Sequence, residues 1–463
     1  MRRTRKTGIC HSRWSLRLHL GGGILALTLA GCDTDGLVDL TDPDIITAGV
    51  ATDTANINEL RSGALFEFAR AVSGTAANND TPGIVGITGL MTDEMWFAST
   101  FIGPQEIDRR NIENTNNDVF LTYQRIHRAR NFADRASEQY TAAGRSNTAA
   151  QAMLSNLAGF SLIFLAENFC SGVPVSRTSL GGELTFGAPQ TTEQLVDSAL
   201  VRFDAALAQA TAANSAPQQN VARVGRARAL LIRGDFAGAA AAVANVPADF
   251  VYNVDYSENA SGQNNGVWYN VNSERRASVA SQEGVNGIRF FNRGATNNTI
   301  DPRAPADSTG TGLGASIQHY RQTKYATRGA DIPLATGIEA QLIRAEAALN
   351  KGQSAAYLPI LNQLRQGVTG LAPLTDPGNP QARVRQFFQE RAFWLWLTAH
   401  RLGDLRRMVK HYGFDQNQVF PTGQTIFGSP YGSDVNFPIP FQEVNNPTAA
   451  QAPSKAACID RNA

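Results

Sequence analysis

The chain has 463 residues, of which 43% are hydrophobic and 8% aromatic, so it contains enough apolar side chains for a sizeable core. Its 41 basic and 40 acidic residues nearly balance, which excludes the concentrated basic surface that nucleic-acid binding requires. The length exceeds that of a usual single domain and predicts either two subdomains or one elongated helical body.

The first 31 residues have the features of an export signal. They contain six basic residues and no acidic one, and their apolar run is much shorter than the roughly 20 residues of a membrane-spanning helix. The next segment, Leu29-Ala30-Gly31-Cys32, resembles the bacterial lipobox, in which the cysteine is acylated before cleavage. We therefore predict a lipoprotein signal peptide over 1–31 and a lipid on Cys32, the alternative being an ordinary signal peptide in which this cysteine has no role.

Cleavage at this site would change the charge of the chain. Loss of the six basic residues from the total of 41 leaves 35 basic against 40 acidic residues, so the mature chain would be mildly acidic. This balance argues against adhesion to anionic lipid by charge alone. The acidic, apolar-poor stretch over 32–48 predicts a flexible tether between the lipid and the folded body.

Residues 49–250 are predicted to form an N-terminal helical region. Residues 118–140 carry small and apolar side chains at steps of three and four, and residues 148–169 are apolar on nearly all sides, which predicts a central helix. Residues 191–210 begin with a threonine cap and predict a surface helix with one buried face. Residues 219–247 then predict a close helical hairpin of tetratricopeptide type.

Helical periodicity disappears over 251–335, where Asn, Gly and Ser dominate and aromatic residues are interspersed. This stretch predicts a loop-rich region with a few short strands, and its aromatic residues favour a functional role. Residues 336–463 return to helix, with a second hairpin over 337–367, a single long helix over 380–411 and a docking tail. The overall prediction is a mainly α fold built on tetratricopeptide-like hairpins.

Several segments, in their order along the chain, resemble the landmarks of one family. They are "ENFCSGVPVSR", "RGDFAGAA", "DPRAP", "IEAQLIRAEAALNKG", "QERAFWLWLTAHRLGDLRR" and "NFPIPFQEVNNP". Together with the lipobox they resemble the SusD/RagB family of surface-exposed lipoproteins, over about 40–450. The resemblance implies a SusD-like α-helical body, a lipid-anchored position on the outer face of the outer membrane, and no enzymatic activity.

The same resemblance implies a function. A SusD-like protein captures a glycan, or another oligomeric nutrient, and delivers it to a SusC-like TonB-dependent outer-membrane barrel. A second hypothesis from a different class is a membrane-tethered tetratricopeptide scaffold of the cell envelope, in which region 251–335 would be dispensable. A third is a lipid-anchored glycosidase that loses turnover on Glu94→Gln.

Aromatic side chains next to polar ones are the candidate ligand-binding residues, because a flat ring packs on the apolar face of a sugar while amides and guanidinium groups bind its hydroxyls. Packing in the core is an equally good explanation for each aromatic residue taken alone. The candidates are Trp96, Trp268, Tyr269 and Tyr320, with Arg289, Asn292 and Asn265 as polar partners.

Other conspicuous residues predict structure rather than chemistry. The acidic pair Asp93-Glu94 is adjacent in sequence, whereas glycoside hydrolysis needs two carboxylates that face each other across a cleft. His400 and Asp404 have no nucleophile at a recognisable position, which favours an ion-pair network over a catalytic relay. No metal or cofactor motif is present. The two remaining cysteines of a mature chain, Cys170 and Cys458, leave a disulfide and two free thiols as open alternatives.

Overall fold

The structure is a computed structural model that describes residues 56–76, 82–293, 298–314 and 317–448. The signal peptide predicted over 1–31, the lipidated Cys32, the tether over 32–48 and Cys458 therefore lie outside the described residues. The predicted domain boundaries stay predictions, and the described residues are presented below by their helices and strands.

Helices make up about half of the described residues and dominate over 57–242 and 337–419. They are α1 (Ile57–Ser73), α2 (Gly83–Met91), α3 (Ile102–Asp108), α4 (Asn117–Ala142), α5 (Ala149–Asn168), α6 (Thr192–Ala212), α7 (Ala216–Arg233), α8 (Phe236–Ala242), α9 (Gly266–Trp268), α10 (Gly337–Asn350), α11 (Ser354–Gln366), α12 (Pro380–Trp394), α13 (Arg401–Tyr412) and α14 (Gln416–Val419).

The strands are short and pair in antiparallel two-stranded ribbons. They are β1 (Met95–Phe97), β2 (Val173–Pro174), β3 (Arg177–Thr178), β4 (Leu184–Thr185), β5 (Pro189–Gln190), β6 (Val251–Val254), β7 (Ala277–Val279), β8 (Phe291–Arg293), β9 (Asn298–Ile300), β10 (Ala306–Thr311), β11 (Gln318–Gln322) and β12 (Ile332–Thr336). The predicted fold class, mainly α with a few short strands, is confirmed.

The predicted helical hairpins are present. Helices α4 and α5 form one pair, α7 and α8 a second, and α10 and α11 a third. In the second pair, α7 ends at Gly234, whose φ of 84° is in the left-handed region, so a residue with a Cβ would be strained there. Asp235 then caps α8 by accepting a hydrogen bond from the Gly238 amide (2.8 Å).

Helix α5 is the centre of the helical body, as its apolar sequence predicts. By length and composition it could cross a membrane, but 83% of its most apolar window is buried inside the protein, which is typical of a core helix. Helices α6 and α7 approach α5 closely because glycines of α5 and α7 face an aromatic ring of α6. Phe203 of α6 packs against Gly159 of α5 and Gly225 of α7, and a Cβ at either glycine would lie within 2.7 Å of the ring.

The prediction of one continuous helix over 380–411 is wrong. The chain forms α12 and α13 with a break between them, where Leu397 and Ala399 have left-handed φ values of 55° and 62°. Partners from elsewhere satisfy the backbone of the break: Glu94 accepts from the Leu397 amide (3.0 Å), and the Tyr325 hydroxyl donates to the Leu397 carbonyl (2.8 Å). Residues on the two sides of the break, such as Glu390 and Arg401, therefore belong to different helices.

The predicted ion-pair network at the start of α13 is present. Asp404 accepts from Arg391 and Arg407, both at 2.8 Å, and the His400 ring meets the Glu339 carboxylate at 3.1 Å. Burial alone would raise the pKa of Asp404, but the two guanidinium groups outweigh it and hold that pKa below its ordinary value. These contacts join α10, α12 and α13, so the residues serve packing of the helices.

Candidate ligand-binding site

A cavity of about 450 Å³ opens between the start of α3, the start of α4 and the β1–β7 ribbon. Phe97 of β1 lies on its wall, and Phe101 and Ile102 stand at its edge with 52% and 71% of their surface exposed. Large apolar side chains that remain this exposed beside a concave surface are typical of a binding site.

The loop before α3 holds Phe101 in place. The amide of Ala98 donates to the Arg276 carbonyl (2.6 Å), which extends the β1–β7 pairing by one residue. Gln105 of α3 turns back and donates to the Ser99 carbonyl (3.0 Å). Because both ends of the loop are fixed by hydrogen bonds, Phe101 projects from a rigid support.

Arg276 forms the cationic side of the cavity. Its guanidinium carbon lies 5.0 Å from the centroid of the Phe101 ring, and its Nε donates to Glu274 (3.2 Å). The other oxygen of Glu274 accepts from the hydroxyl of Tyr269 (3.0 Å), one of the sequence-predicted ligand residues. Tyr269 therefore contacts Arg276 through Glu274, whereas the next residue in the chain, Asn270, lines the cavity.

The opposite side of the cavity is acidic. Asn116 caps α4 by accepting from the amides of Asp118 and Val119, and its amide group donates to Glu106 of α3 (2.8 Å). Glu106 and Asp118 both line the cavity. Burial, and to a smaller extent the nearby charge of Glu106, raise the pKa of Asp118 to about 6.

Two of the predicted aromatic residues lie behind the cavity, on the ribbon that supports it. Trp96 is half-buried and pairs with Ser278 across β1 and β7, and its side chain is on the opposite face of the strand from Phe97. The Ser278 hydroxyl accepts from the Tyr320 amide (2.8 Å), and the Tyr320 ring packs edge-on against Phe291 at 5.0 Å. The structure thus brings Trp96 and Tyr320 to one supporting surface.

The remaining predicted residues are distributed over two other places. Asn265 is fully buried, accepts from the Trp268 amide (3.1 Å) and donates to the Ala330 carbonyl (2.8 Å), so its side chain caps α9. Trp268 is half-buried at the end of that helix. Arg289 lines a different cavity. Asn292 follows three residues later along the chain, on β8, where it pairs with Thr299.

Sequence reasoning missed Phe97, Phe101, Ile102 and Arg276. The segment "WFASTFIGP" contained a signal, since two aromatic residues surround the small residues Ala98-Ser99-Thr100 just before a helix. Arg276 is distant in sequence and reaches the site only through pairing of β7 with β1. Long-range pairing of this kind leaves no local trace in the chain.

The adjacent acidic pair does not line the cavity. Asp93 and Glu94 are fully buried, and burial raises their pKa values to about 7 and about 8. Asp93 accepts from the Tyr431 hydroxyl (2.6 Å) and from the Gly284 amide (2.7 Å). Within the described ranges, no group of three His, Cys, Asp or Glu side chains is arranged to hold a metal ion.

No family model and no curated protein matches the chain. Solved structures do. A SusD superfamily protein from Bacteroides vulgatus has 15% identity and a TM-score of 0.57, with 86% of this chain and 98% of that one covered. A SusD/RagB family protein from Bacteroides thetaiotaomicron has 15% identity and a TM-score of 0.56, with 87% and 96% covered.

A third solved structure is surface glycan-binding protein A from Bacteroides uniformis. It has 13% identity and a TM-score of 0.55, and the match covers 86% of this chain and 98% of that one. At such identities the likeness is one of fold. The chain therefore has the fold of the SusD superfamily, and the resemblance that its sequence motifs indicate is confirmed at that level.

Proposed function

We propose that this protein is a lipid-anchored protein of the outer cell surface that captures a glycan, or another oligomeric nutrient, and hands it to a SusC-like TonB-dependent barrel. The observation that carries the proposal is the cavity with exposed Phe101 at its edge, on a fold shared with a surface glycan-binding protein. A tethered scaffold would need no such concave surface with an exposed ring.

The cavity offers the two kinds of contact that a sugar needs. The free face of Phe101 packs on the apolar face of a ring, and the edge residue Ile102 extends that surface. Glu106, Asn117 and Asn270 supply carboxylate and amide groups for hydroxyls. Arg276 is already fixed by Glu274 and by the Phe101 ring, so ligand binding orders few side chains and costs little conformational entropy.

The proposal includes no chemical step. The conspicuous acidic residues Asp93 and Glu94 are enclosed and hold together the backbone of distant segments. Glu106 of α3 and Asp118 in the first turn of α4 are both hydrogen-bonded to Asn116, so they lie on the same side of the cavity rather than across it. The ligand would therefore dissociate without chemical change and pass to the barrel.

A binding experiment tests the capture step. Purified chain from residue 33 onward is screened against a panel of immobilised oligosaccharides, and each hit is confirmed by calorimetry with the free sugar. We expect at least one oligosaccharide to bind and to lose affinity in Phe101→Ala. Binding that is unchanged in Phe101→Ala would place the ligand outside this cavity, and absence of any glycan ligand would favour another oligomeric nutrient, such as a peptide, or the scaffold.

A second experiment tests the partner. Affinity purification of the full-length protein from native membranes should retrieve a large TonB-dependent barrel. The double variant Asn270→Ala/Arg276→Ala distinguishes the two classes of function: a scaffold would be unaffected, whereas nutrient capture would be weakened because both residues belong to the cavity wall.

A further inference from the structure

Two cavities lie on either side of α12, away from the site described above. One has a volume of about 470 Å³ and lies between α11, α12 and the β8–β9 ribbon; the other, of about 310 Å³, lies between α12, α13 and α14. Arg289 and Gln389 line both, so the two cavities adjoin. We call this combined surface the arginine groove.

The groove is rich in guanidinium groups, and its acidic residues already form ion pairs with arginines of the groove. Its arginines are Arg289, Arg303, Arg365, Arg385 and Arg401, and its acids are Asp301 and Glu390. Arg303 donates to both acids, and Arg365 donates to Glu390 at 2.6 Å. Arg401 is held by the buried Glu283 behind the wall, at 2.6 Å. Each acid in the groove thus faces a fixed cation.

Two of the five arginines have neutral partners instead. Arg289 donates to the side-chain oxygen of Gln282 (2.6 Å), and Arg385 donates to the Gln418 carbonyl (3.2 Å) while its guanidinium carbon lies 4.7 Å from the Phe414 ring. Both side chains are exposed. Among the described residues no carboxylate pairs with either of them, so their positive charge is available to an anionic ligand.

The spacing along α12 places different contact types next to one another. Arg385, Gln389 and Phe393 are four residues apart and form one row on the helix, with Gln386 beside them. All of them line the groove, which offers charge, amide groups and an aromatic surface along a length of two helical turns. An extended ligand with anionic groups and hydroxyls at intervals fits this order.

We propose that the arginine groove binds an anionic oligosaccharide, one whose sugar units carry carboxylate or sulfate groups. Arg289 and Arg385 would pair with the anionic groups, and Gln386 and Gln389 would bind the hydroxyls between them. This site goes beyond the proposed function, because it shares no lining residue with the cavity at Phe101. It would give the protein a second point of attachment on a charged polymer.

The test uses the double variant Arg289→Gln/Arg385→Gln, which keeps two polar side chains and removes both charges. Arg328→Gln is the matched control, since Arg328 is an exposed arginine whose side chain lies 3.8 Å from Glu258, outside the groove. Three probes are titrated by calorimetry in buffer of low ionic strength: trigalacturonate, neocarrabiose 4-sulfate and neutral maltotriose. Thermal unfolding of each variant confirms that the fold is intact.

We expect wild-type protein and Arg328→Gln to bind at least one anionic probe, and the double variant to bind it at least about tenfold more weakly. Binding should also weaken as salt is added, because screening acts on exposed charges. Preference for trigalacturonate identifies a uronate site, and preference for the sulfated sugar identifies a sulfate site. The proposal is overturned if neither anionic probe binds wild-type protein, or if the double variant binds it as wild type does.

The outcome is independent of the cavity at Phe101. Phe101→Ala should leave the affinity for the anionic probe unchanged, and the groove variant should leave unchanged the affinity for any neutral glycan found with that cavity. Loss of both ligands in Phe101→Ala alone would mean that the two surfaces are one site and would reject the groove as a separate one.

Discussion

Arg276 lies over the ring of Phe101, with its guanidinium carbon 5.0 Å from the ring centroid, although 174 positions separate the two in sequence. One face of the ring is thereby occupied and supported while 52% of the residue remains exposed. An aromatic side chain held in one orientation loses little freedom when a ligand packs on it.

We predict that Phe101→Ala weakens binding of the captured glycan by about tenfold or more, since stacking on a ring contributes on the order of 1 kcal/mol beyond the apolar area buried. Phe101→Tyr should keep most of the affinity because it keeps the ring. Phe441→Ala is the control, because Phe441 is another exposed ring, at 49%. Calorimetry measures all three, and equal losses in Phe101→Ala and Phe441→Ala would contradict a specific role for Phe101.

Stability should fall as the pH rises toward 8. Burial raises the pKa values of Asp93 to about 7 and of Glu94 to about 8, so the folded protein holds protons that the unfolded chain releases above about pH 4. Their contribution is complete below the unfolded pKa values and is lost as the pH passes the folded ones. Lys324, whose pKa burial lowers to about 8, acts in the opposite direction only above that pH. The buried histidines, such as His127 with its pKa lowered to about 3, act in the opposite direction only below about pH 6.5, where the unfolded imidazole takes up a proton.

Urea unfolding at several pH values between about 6.5 and 8 measures this dependence, with a limiting slope of roughly 1.4 kcal/mol per pH unit for each proton. In Glu94→Gln the slope should be smaller, because the amide resembles the protonated acid and still accepts from the Leu397 amide. A slope that is the same in wild type and Glu94→Gln would show that Glu94 does not titrate in this range.

The periodic parts of the fold could be predicted from the sequence. Small and apolar residues at helical spacing predict the two hairpins over 219–247 and 337–367 and the helices over 118–140 and 148–169, and these helices agree to within a few residues with those observed. The break between α12 and α13 could not be predicted from the sequence, because the residues over 395–400 have ordinary helical composition. Its backbone partners, Glu94 and Tyr325, come from distant segments, and such tertiary contacts override local preference.

Some of the residues predicted from the sequence lie near the candidate site, but none of them lines the cavity. Trp96 and Tyr269 lie on the elements that support the cavity, but Trp96 faces away from Phe97 and Tyr269 acts through Glu274. Composition identifies a stretch rich in aromatic residues, whereas the direction of each side chain depends on strand register. Arg276 enters the site through the pairing of Phe97 with Ala277, which the sequence does not encode locally.

Close packing of α5, α6 and α7 predicts that Gly225→Ala is destabilising. A Cβ at Gly225 would lie 2.2 Å from the Phe203 ring, so the ring must move within a buried contact. Overpacking of this kind costs about 1–3 kcal/mol of unfolding free energy. Gly181→Ala is the control, because its Cβ would meet nothing closer than 3.7 Å. If Phe203→Leu is added to Gly225→Ala, the smaller side chain should restore part of the loss, and urea unfolding of the wild type and the three variants measures this.

The lipid anchor predicted at Cys32 is tested by localisation. Cys32→Ser removes the thiol that would be acylated, so we expect the protein to lose metabolic labelling with a fatty acid and to leave the membrane fraction. Cys10→Ser is the control, since that cysteine lies within the predicted signal peptide. Equal labelling of wild type and Cys32→Ser would exclude lipidation at this position.

Removal of the carboxylate of Asp404 should be among the most destabilising single changes. This side chain is 1% exposed and lies 2.8 Å from both Arg391 and Arg407, so Asp404→Ala leaves two buried guanidinium groups without that partner. Loss of one member of a buried ion pair costs about 3–5 kcal/mol. The exposed pair of Arg226 and Asp204 has a nearly equal N–O separation, 2.9 Å, yet Asp204→Ala should cost under about 1 kcal/mol because solvent replaces the carboxylate. Urea unfolding measures both, and equal losses would show that burial of the α12–α13 network adds nothing to the stability of the fold.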